Sequence, residues 1–282
     1  MTDDVAWRHF PEHRWVYNKL EVALSQNIPC APLGVMPEEY PVALKPAYNI
    51  WGGGVGSYRI DSADELFHRS PVCLTPERAR HPGTFWMEWL EGDHLSHDLV
   101  TDGDGFIEWV CCLEGHPLGV GMFDRWETTE PDRLVVAYVS AWVRRHLQGY
   151  RGCVNLETIG GKIIDCHLRP GDLHRFGDER LMRSLADFCS GEPWNFDGRL
   201  GDLYLFVVWG RQGVDYVIDD SIVADICGDF VSFRMDDPDW INPLGAARIA
   251  ILTARDLRSG LDARHRLLPH FRPEIPGELS RF

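Results

Sequence analysis

The chain has 282 residues and a formal net charge of −15 at pH 7, with 44% hydrophobic and 25% charged residues. That length suffices for one large domain or two modest ones. The acidic balance argues against nucleic acid or an anionic membrane as the main partner, although a local cluster of Lys and Arg can still hold a nucleotide. No apolar run approaches the ~20 residues of a membrane span, and residues 1–10 lack the charged-then-apolar pattern of a secretion signal. Eight cysteines without C-x-x-C spacing read as reduced, mostly buried thiols, none singled out as a nucleophile. A cytoplasmic protein is expected.

In chain order, residues 14–26 have helical spacing, with Val16, Leu20, Ala23 and Leu24 on one side, and Asn27 before Ile28-Pro29 ends the helix. A strand follows over 40–46, in which Lys45 stands among apolar neighbours. Next come the run Trp51-Gly52-Gly53-Gly54-Val55-Gly56-Ser57 and a strand over 58–60. A charge on a buried strand needs a partner, and glycine N–H groups approach phosphate oxygens closely. Lys45 and the loop therefore read together as a phosphate clamp.

After a short helix at 62–68, residues 84–90 read as an apolar strand and Glu91-Gly92 as a break. The next strand alternates, with His94, Ser96 and Asp98 on one face. His94 and His97 then point to opposite faces, which argues against zinc there. Residues 104–126 read as an antiparallel pair turning at 114–117, with Arg125 a secondary candidate for an anionic substrate. Residues 134–147 form a helix ending in Arg144, Arg145 and His146, where the dipole favours cations.

Residues 154–170 are the most informative stretch: two strands about Gly160-Gly161. Asp165, His167 and Arg169 share one face of the second strand, while Ile164, Cys166 and Leu168 share the other. Asn155 and Glu157 share a face of the first strand. A two-residue loop turns the two polar faces apart. A three-residue loop, Gly160 to Lys162, sets Glu157 opposite Asp165 and Asn155 opposite His167. The second register is expected, because it gathers both carboxylates where one Mg²⁺ could bridge them. The alternative is a surface hairpin with a solvated polar face. Further on, 180–189 and 256–268 read as helices, 203–209 and 215–218 as strands joined by 210–213, and 269–282 as a surface tail.

The order of these pieces resembles the ATP-grasp superfamily of ATP-dependent carboxylate ligases, over about residues 14–176. Those enzymes carry a helix lysine (here Asn18-Lys19-Leu20) before a G/N-I/V-P segment (Asn27-Ile28-Pro29), then a strand lysine before proline (Lys45-Pro46) and a glycine-rich loop. A hinge of the form M-E-x-L-x-G follows, matched by Met87 to Gly92, then an S-x-D matched by Ser96 and Asp98. The last element, N-V-E/Q … E-x-N-P-R, corresponds to Asn155-Leu156-Glu157 and Asp165-Cys166-His167-Leu168-Arg169-Pro170.

The resemblance implies an α+β ATP-grasp fold, two α+β subdomains clamping a nucleotide, and an ATP- and Mg²⁺-dependent ligase. Residues 1–200 would form the nucleotide-binding region, with a mobile lid at about 40–87, and 201–282 a C-terminal α+β extension packed on it. Lys19, Lys45, Gly53, Gly54, Gly56 and Ser57 would hold the phosphates, Glu88, Trp89 and Leu90 the adenine, and Asp93 the ribose. Glu157, Asp165 and His167 would hold the metal. Arg169 and Lys45 would act in catalysis, with Arg169 either steadying the transferring group or pairing with Asp165.

A substrate carboxylate would attack the γ-phosphate, and an amine or other nucleophile would then displace phosphate from the acyl phosphate. Three departures stand out: Asp165 replaces Glu, His167 replaces Asn, and the hairpin is short. The usual separate N-terminal substrate domain is expected to be missing, so the acid-binding surface would come from the C-terminal third, a second copy or another partner. A non-catalytic nucleotide-binding or regulatory protein is the alternative, and a Mg²⁺-dependent kinase a minor third.

Overall fold

The computed structural model describes residues 2–48, 56–69, 83–119, 121–198, 200–228, 231–236 and 245–273. In chain order the elements are α1 (Asp3–His9), a 3-10 helix (Pro11–Tyr17), α2 (Lys19–Leu24), β1 (Cys30–Pro32), β2 (Val42–Pro46), β3 (Tyr58–Ile60), α3 (Ala63–Arg69), β4 (Thr84–Glu88), β5 (His94–Thr101), β6 (Ile107–Gly119) and β7 (Met122–Thr128). They continue with α4 (Arg133–His146), β8 (Gly152–Ile159), β9 (Lys162–His167), a 3-10 helix (Leu173–Phe176), α5 (Glu179–Cys189), β10 (Tyr204–Arg211), β11 (Tyr216–Val217), α6 (Asp220–Cys227), β12 (Val231–Met235), β13 (Ala246–Ala254), α7 (Leu257–Leu267) and β14 (Arg272–Pro273). No helix among the described residues is long and apolar enough to cross a membrane.

The chain divides into two compact units, Met1–Gly115 with Thr129–Leu200, and His116–Thr128 with Gly201–Phe282. The first unit holds two antiparallel sheets. One has the order β1-β4-β2-β3, and in the other the strands β6, β5, β8 and β9 lie side by side in that order. The core of the second sheet sets Leu99, Val154, Leu156, Ile163, Cys166 and Leu168 against Val139, Trp142 and Val143 of α4, with Ala6, Val16, Tyr17 and Val22 closing it. A smaller core beside it joins Ala23 and Ile28 to Phe85 and Met87 of β4, and Leu90 and Ile164 pack on it. In the second unit the strands run β12-β13-β10-β7, covered by α6 and α7 through Cys227, Ala263 and Leu267.

Several sequence expectations need correction. The helix expected over 14–26 is interrupted at Asn18, whose backbone is extended (φ −87, ψ 100) and bridges Tyr48. Its side-chain oxygen accepts from Leu20 N–H at 3.1 Å, so Asn18 caps a new helix rather than continuing an old one. Leu24, assigned to the apolar side, is 49% exposed. Asn27 does end the segment, in the left-handed conformation at φ 56.

The turn expected at 114–117 is absent, because β6 runs on to Gly119 and β7 starts at Met122. Strand β11 pairs with β14. The seven described cysteines are all free, and Cys73 lies outside the described residues.

Candidate active site

The site is built on the β8–β9 hairpin. Asn155 pairs with His167, Leu156 with Cys166 and Glu157 with Asp165, so the two carboxylates face each other as the second register required. The loop that achieves this is not the expected three-residue one. Ile159 pairs with Lys162 across Gly160 and Gly161, which have φ 54 and 79, the signature of a two-residue primed turn. The register shifts between Glu157 and Thr158, and Ile164 is the extra residue of a β-bulge. The bulge also moves Ile164 off the Cys166 and Leu168 side: it packs on the smaller core, while Ile163 enters the larger one.

The capped start of α2 brings Lys19 to Asp165. Lys19 N–H donates to the carbonyl of Ala47 at 2.8 Å, and its buried ammonium forms an ion pair with the Asp165 Oδ2. Oδ1 of Asp165 accepts from the backbone N–H of Cys166 at 3.1 Å. Burial opposes ionisation of Asp165, yet the charges of Lys19, His167 and Lys45 hold its carboxyl far below the usual range. Glu157 accepts from His94 Nε2 at 3.1 Å, and that bond and charge likewise outweigh burial and lower its pKa.

Lys45 is also buried. Its ammonium donates to the carbonyl of Ile164 at 3.3 Å and, among the described residues, has no carboxylate at ion-pair distance. Burial, then the neighbouring charge of Lys19, pushes its pKa down to about 8 against the pull of Asp165 and Glu157.

His167, expected among the metal ligands, has both nitrogens turned to carboxylates: Nδ1 lies 3.0 Å from Asp3 Oδ2 and Nε2 3.6 Å from Asp165 Oδ2. Burial disfavours its charge, but the two acids prevail and raise its pKa to about 9. A ring nitrogen is in any case a poor donor for hard Mg²⁺. Arg169 pairs with Asp3, its Nε donating at 2.8 Å, rather than with Asp165.

Asp3 was not found from the sequence. It lies 164 residues from His167, in a polar amino-terminal stretch with no local pattern to mark it. Asp98, whose S-x-D match carried no assigned role, is 2% exposed on β5. It accepts from Gly171 N–H at 2.7 Å and from Asn155 Nδ2 at 3.3 Å, and burial still pushes its carboxyl up to about 7.

Of the hinge residues, Glu88 closes β4 with its N–H on the carbonyl of Pro29 at 2.8 Å, and Leu90 packs on the core of Ala23, Ile28, Phe85 and Met87. Trp89 lies under the Arg59 guanidinium, 5.0 Å from the ring centroid. The Asp93 carbonyl takes the N–H of Gly160 at 3.1 Å, which ties the hinge to the hairpin tip. A Cβ on Gly160 would stand 2.2 Å from the Glu91 oxygen, so only glycine allows this approach. In the glycine-rich loop, Gly56 and Ser57 precede β3, whereas Gly53 and Gly54 lie outside the described residues.

No family model and no curated protein sequence matches this chain. Solved structures do. N5-carboxyaminoimidazole ribonucleotide synthetase from Thermus thermophilus is 14% identical at a TM-score of 0.63, over 94% of this chain and 75% of that one. The biotin carboxylase domain of Hydrogenobacter thermophilus 2-oxoglutarate carboxylase, solved with MgADP, ADP and bicarbonate, is 14% identical at 0.62, over 93% and 67%. L-amino acid ligase from Bacillus licheniformis is 12% identical at 0.62, over 92% and 71%. These are ATP-grasp ligases, and the chain has the ATP-grasp fold.

Proposed function

We propose that the protein is an ATP- and Mg²⁺-dependent ligase that activates a small-molecule carboxylate as an acyl phosphate. In this reading a carboxylate oxygen attacks the γ-phosphorus and ADP leaves; an amine or other nucleophile then attacks the acyl carbon and phosphate leaves. Lys45 carries the argument. A buried ammonium without a carboxylate at bonding distance among the described residues needs an anion, and a nucleotide phosphate would supply it. Lys19 and the loop with Gly56 and Ser57 would add charge and amides around the same phosphates, and the strands within 40–87 would act as the lid.

Glu88, Trp89 and Leu90 would line the adenine and Asp93 the ribose. Glu157 and Asp165 fit Mg²⁺ in donor type, as two facing carboxylates, and would hold it without His167. The metal, when bound, screens phosphate charge. Arg169 would grip the oxyanion of the transferring group. Free cysteines fit a reducing, cytoplasmic setting.

One observation favours a non-catalytic nucleotide-binding protein instead: Asp165 is already engaged by Lys19 and faced by His167. Calorimetry separates the readings. MgATP binding is expected in the wild type, weakened by Lys45→Ala and stripped of its metal dependence by Glu157→Gln. Phosphate release in a screen of acids and amines then supports the ligase, and its absence throughout favours the binder. No binding at about millimolar nucleotide (near the weak end of the affinity scale) rejects both.

A further inference from the structure

Asp3 carries the inference. Its Oδ2 accepts from two cations, His167 Nδ1 at 3.0 Å and Arg169 Nε at 2.8 Å, and the residue is 7% exposed. It does not sit on a frayed end. Ala6, one turn on, is fully buried in the main core, Trp7 packs on Tyr17 with ring centroids 5.7 Å apart, and the Trp7 carbonyl accepts from Arg14 Nε at 2.6 Å. The carboxylate is therefore held by a docked helix.

The other half of the observation is what remains of Arg169. Its Nε–H is spent on Asp3, and one Nη1–H goes to the Pro170 carbonyl at 2.9 Å. A guanidinium has five N–H donors in one plane, so among the described residues the second Nη1–H and both Nη2–H groups stay uncommitted, on a side chain 28% exposed. That edge is the fork that takes a carboxylate or phosphoryl oxygen pair. An arginine pinned at its inner edge keeps less rotamer freedom to lose when an anion arrives at the outer one.

We infer that Asp3 is a positioning residue, which by holding Nε of Arg169 presents the Nη edge to the oxyanion of a carboxylate or phosphoryl group. This rests on the role given to Arg169 under the proposed ligase reading. A competing role, in which Asp3 fills the anion subsite and must leave, predicts the opposite effect of removing its charge.

The test uses the full chain with isotopically labelled arginine, the Arg169 Nε–H signal being assigned by its loss in Arg169→Lys. Inorganic phosphate is titrated while this signal is followed, and MgADP affinity is measured in parallel. The wild-type signal is expected to shift with phosphate. Asp3→Asn is expected to weaken phosphate binding by about fivefold or more, the scale of one lost charge-assisted hydrogen bond, while MgADP affinity changes by less than about twofold. Should Asp3→Asn not fold, Asp3→Glu, which keeps the charge but displaces the carboxylate, is expected to weaken phosphate in the same direction.

Equal or tighter phosphate binding in the variant overturns the inference, as does an Arg169 signal that ignores phosphate. Parallel losses of phosphate and MgADP affinity also overturn it, by showing a general structural role. Wild type that binds phosphate at Arg169 but no MgATP or MgADP rejects the nucleotide reading alone; Asp3 is then judged on phosphate affinity and on thermal stability as the structural control.

Discussion

Lys19 and Asp165, 146 residues apart, form a buried ion pair that ties the first turn of α2 to the polar face of β9. Both side chains are less than a tenth exposed. Breaking such a pair from one side leaves a buried charge uncompensated, at about 3–5 kcal/mol. His167 stays beside Asp165 and softens the loss. Lys19→Met is therefore expected to destabilise by about 3 kcal/mol, and adding Asp165→Asn to recover at least about 1 kcal/mol of it. Urea unfolding of the single and double variants measures this; additive losses would contradict the coupling.

The hairpin tip makes a different demand. Gly160 has φ 54, and a Cβ there would meet the Glu91 oxygen at 2.2 Å, whereas at Gly161 (φ 79) it would meet only a Val135 methyl at 3.3 Å. Both Ala substitutions carry the left-handed penalty, about 1–2 kcal/mol. Gly160→Ala must also push the hinge backbone away, for a total of about 2–4 kcal/mol. Gly161→Ala should be clearly milder. Equal costs in denaturant unfolding would mean that the hinge does not bear on the tip.

The facing of Glu157 and Asp165 was legible in the sequence because the alternation of polar and apolar residues constrains which faces meet. How the chain arranges it was not. A two-residue turn with a bulge at Ile164 and a three-residue loop satisfy the same pattern, and only the packing of Ile164 on the core of Ala23, Ile28, Phe85 and Met87 separates them. The break at Asn18 was hidden for a similar reason, since helical spacing runs through a capping residue unless its backbone has a partner elsewhere, here Tyr48. Lys45 was marked by its setting among apolar residues, and Lys19 only by the resemblance of its segment. Asp3 had no such mark, because its meaning comes from His167 and Arg169 at the far end of the unit's sequence.

Asp98 sets a pH dependence. Its carboxyl is raised from an ordinary 3.8 to about 7 by burial, so between these values the native state holds a proton that the unfolded chain has lost. The contribution of this group is full below about pH 4 and falls as pH rises from about 4 to 7, by up to about 4 kcal/mol. His167, raised to about 9, acts in the same sense over a higher range, its contribution being full below its ordinary 6.5 and lost as pH rises through 9. Comparing wild type with Asp98→Asn isolates the lower step. The variant should lose much less stability between pH 4.5 and 7.5 (roughly the span of the Asp98 titration). Parallel profiles in urea unfolding would sink the assignment.

Lys45 makes nucleotide binding a proton-linked event. With its pKa pushed down to about 8 by burial and by Lys19, the side chain is roughly half neutral at that pH. A phosphate brought beside it favours the ammonium and raises the pKa toward its ordinary 10.5. Binding of MgATP at pH 8 should therefore take up about half a proton, and near pH 6 almost none. Calorimetry in two buffers of different ionisation enthalpy reads the uptake directly, after subtracting the nucleotide's own ionisation. Lys45→Met should abolish the uptake at pH 8 and also weaken binding. An uptake that persists in Lys45→Met would move the phosphate contact to another group, and binding with no uptake at pH 8 would mean that the phosphates do not reach Lys45.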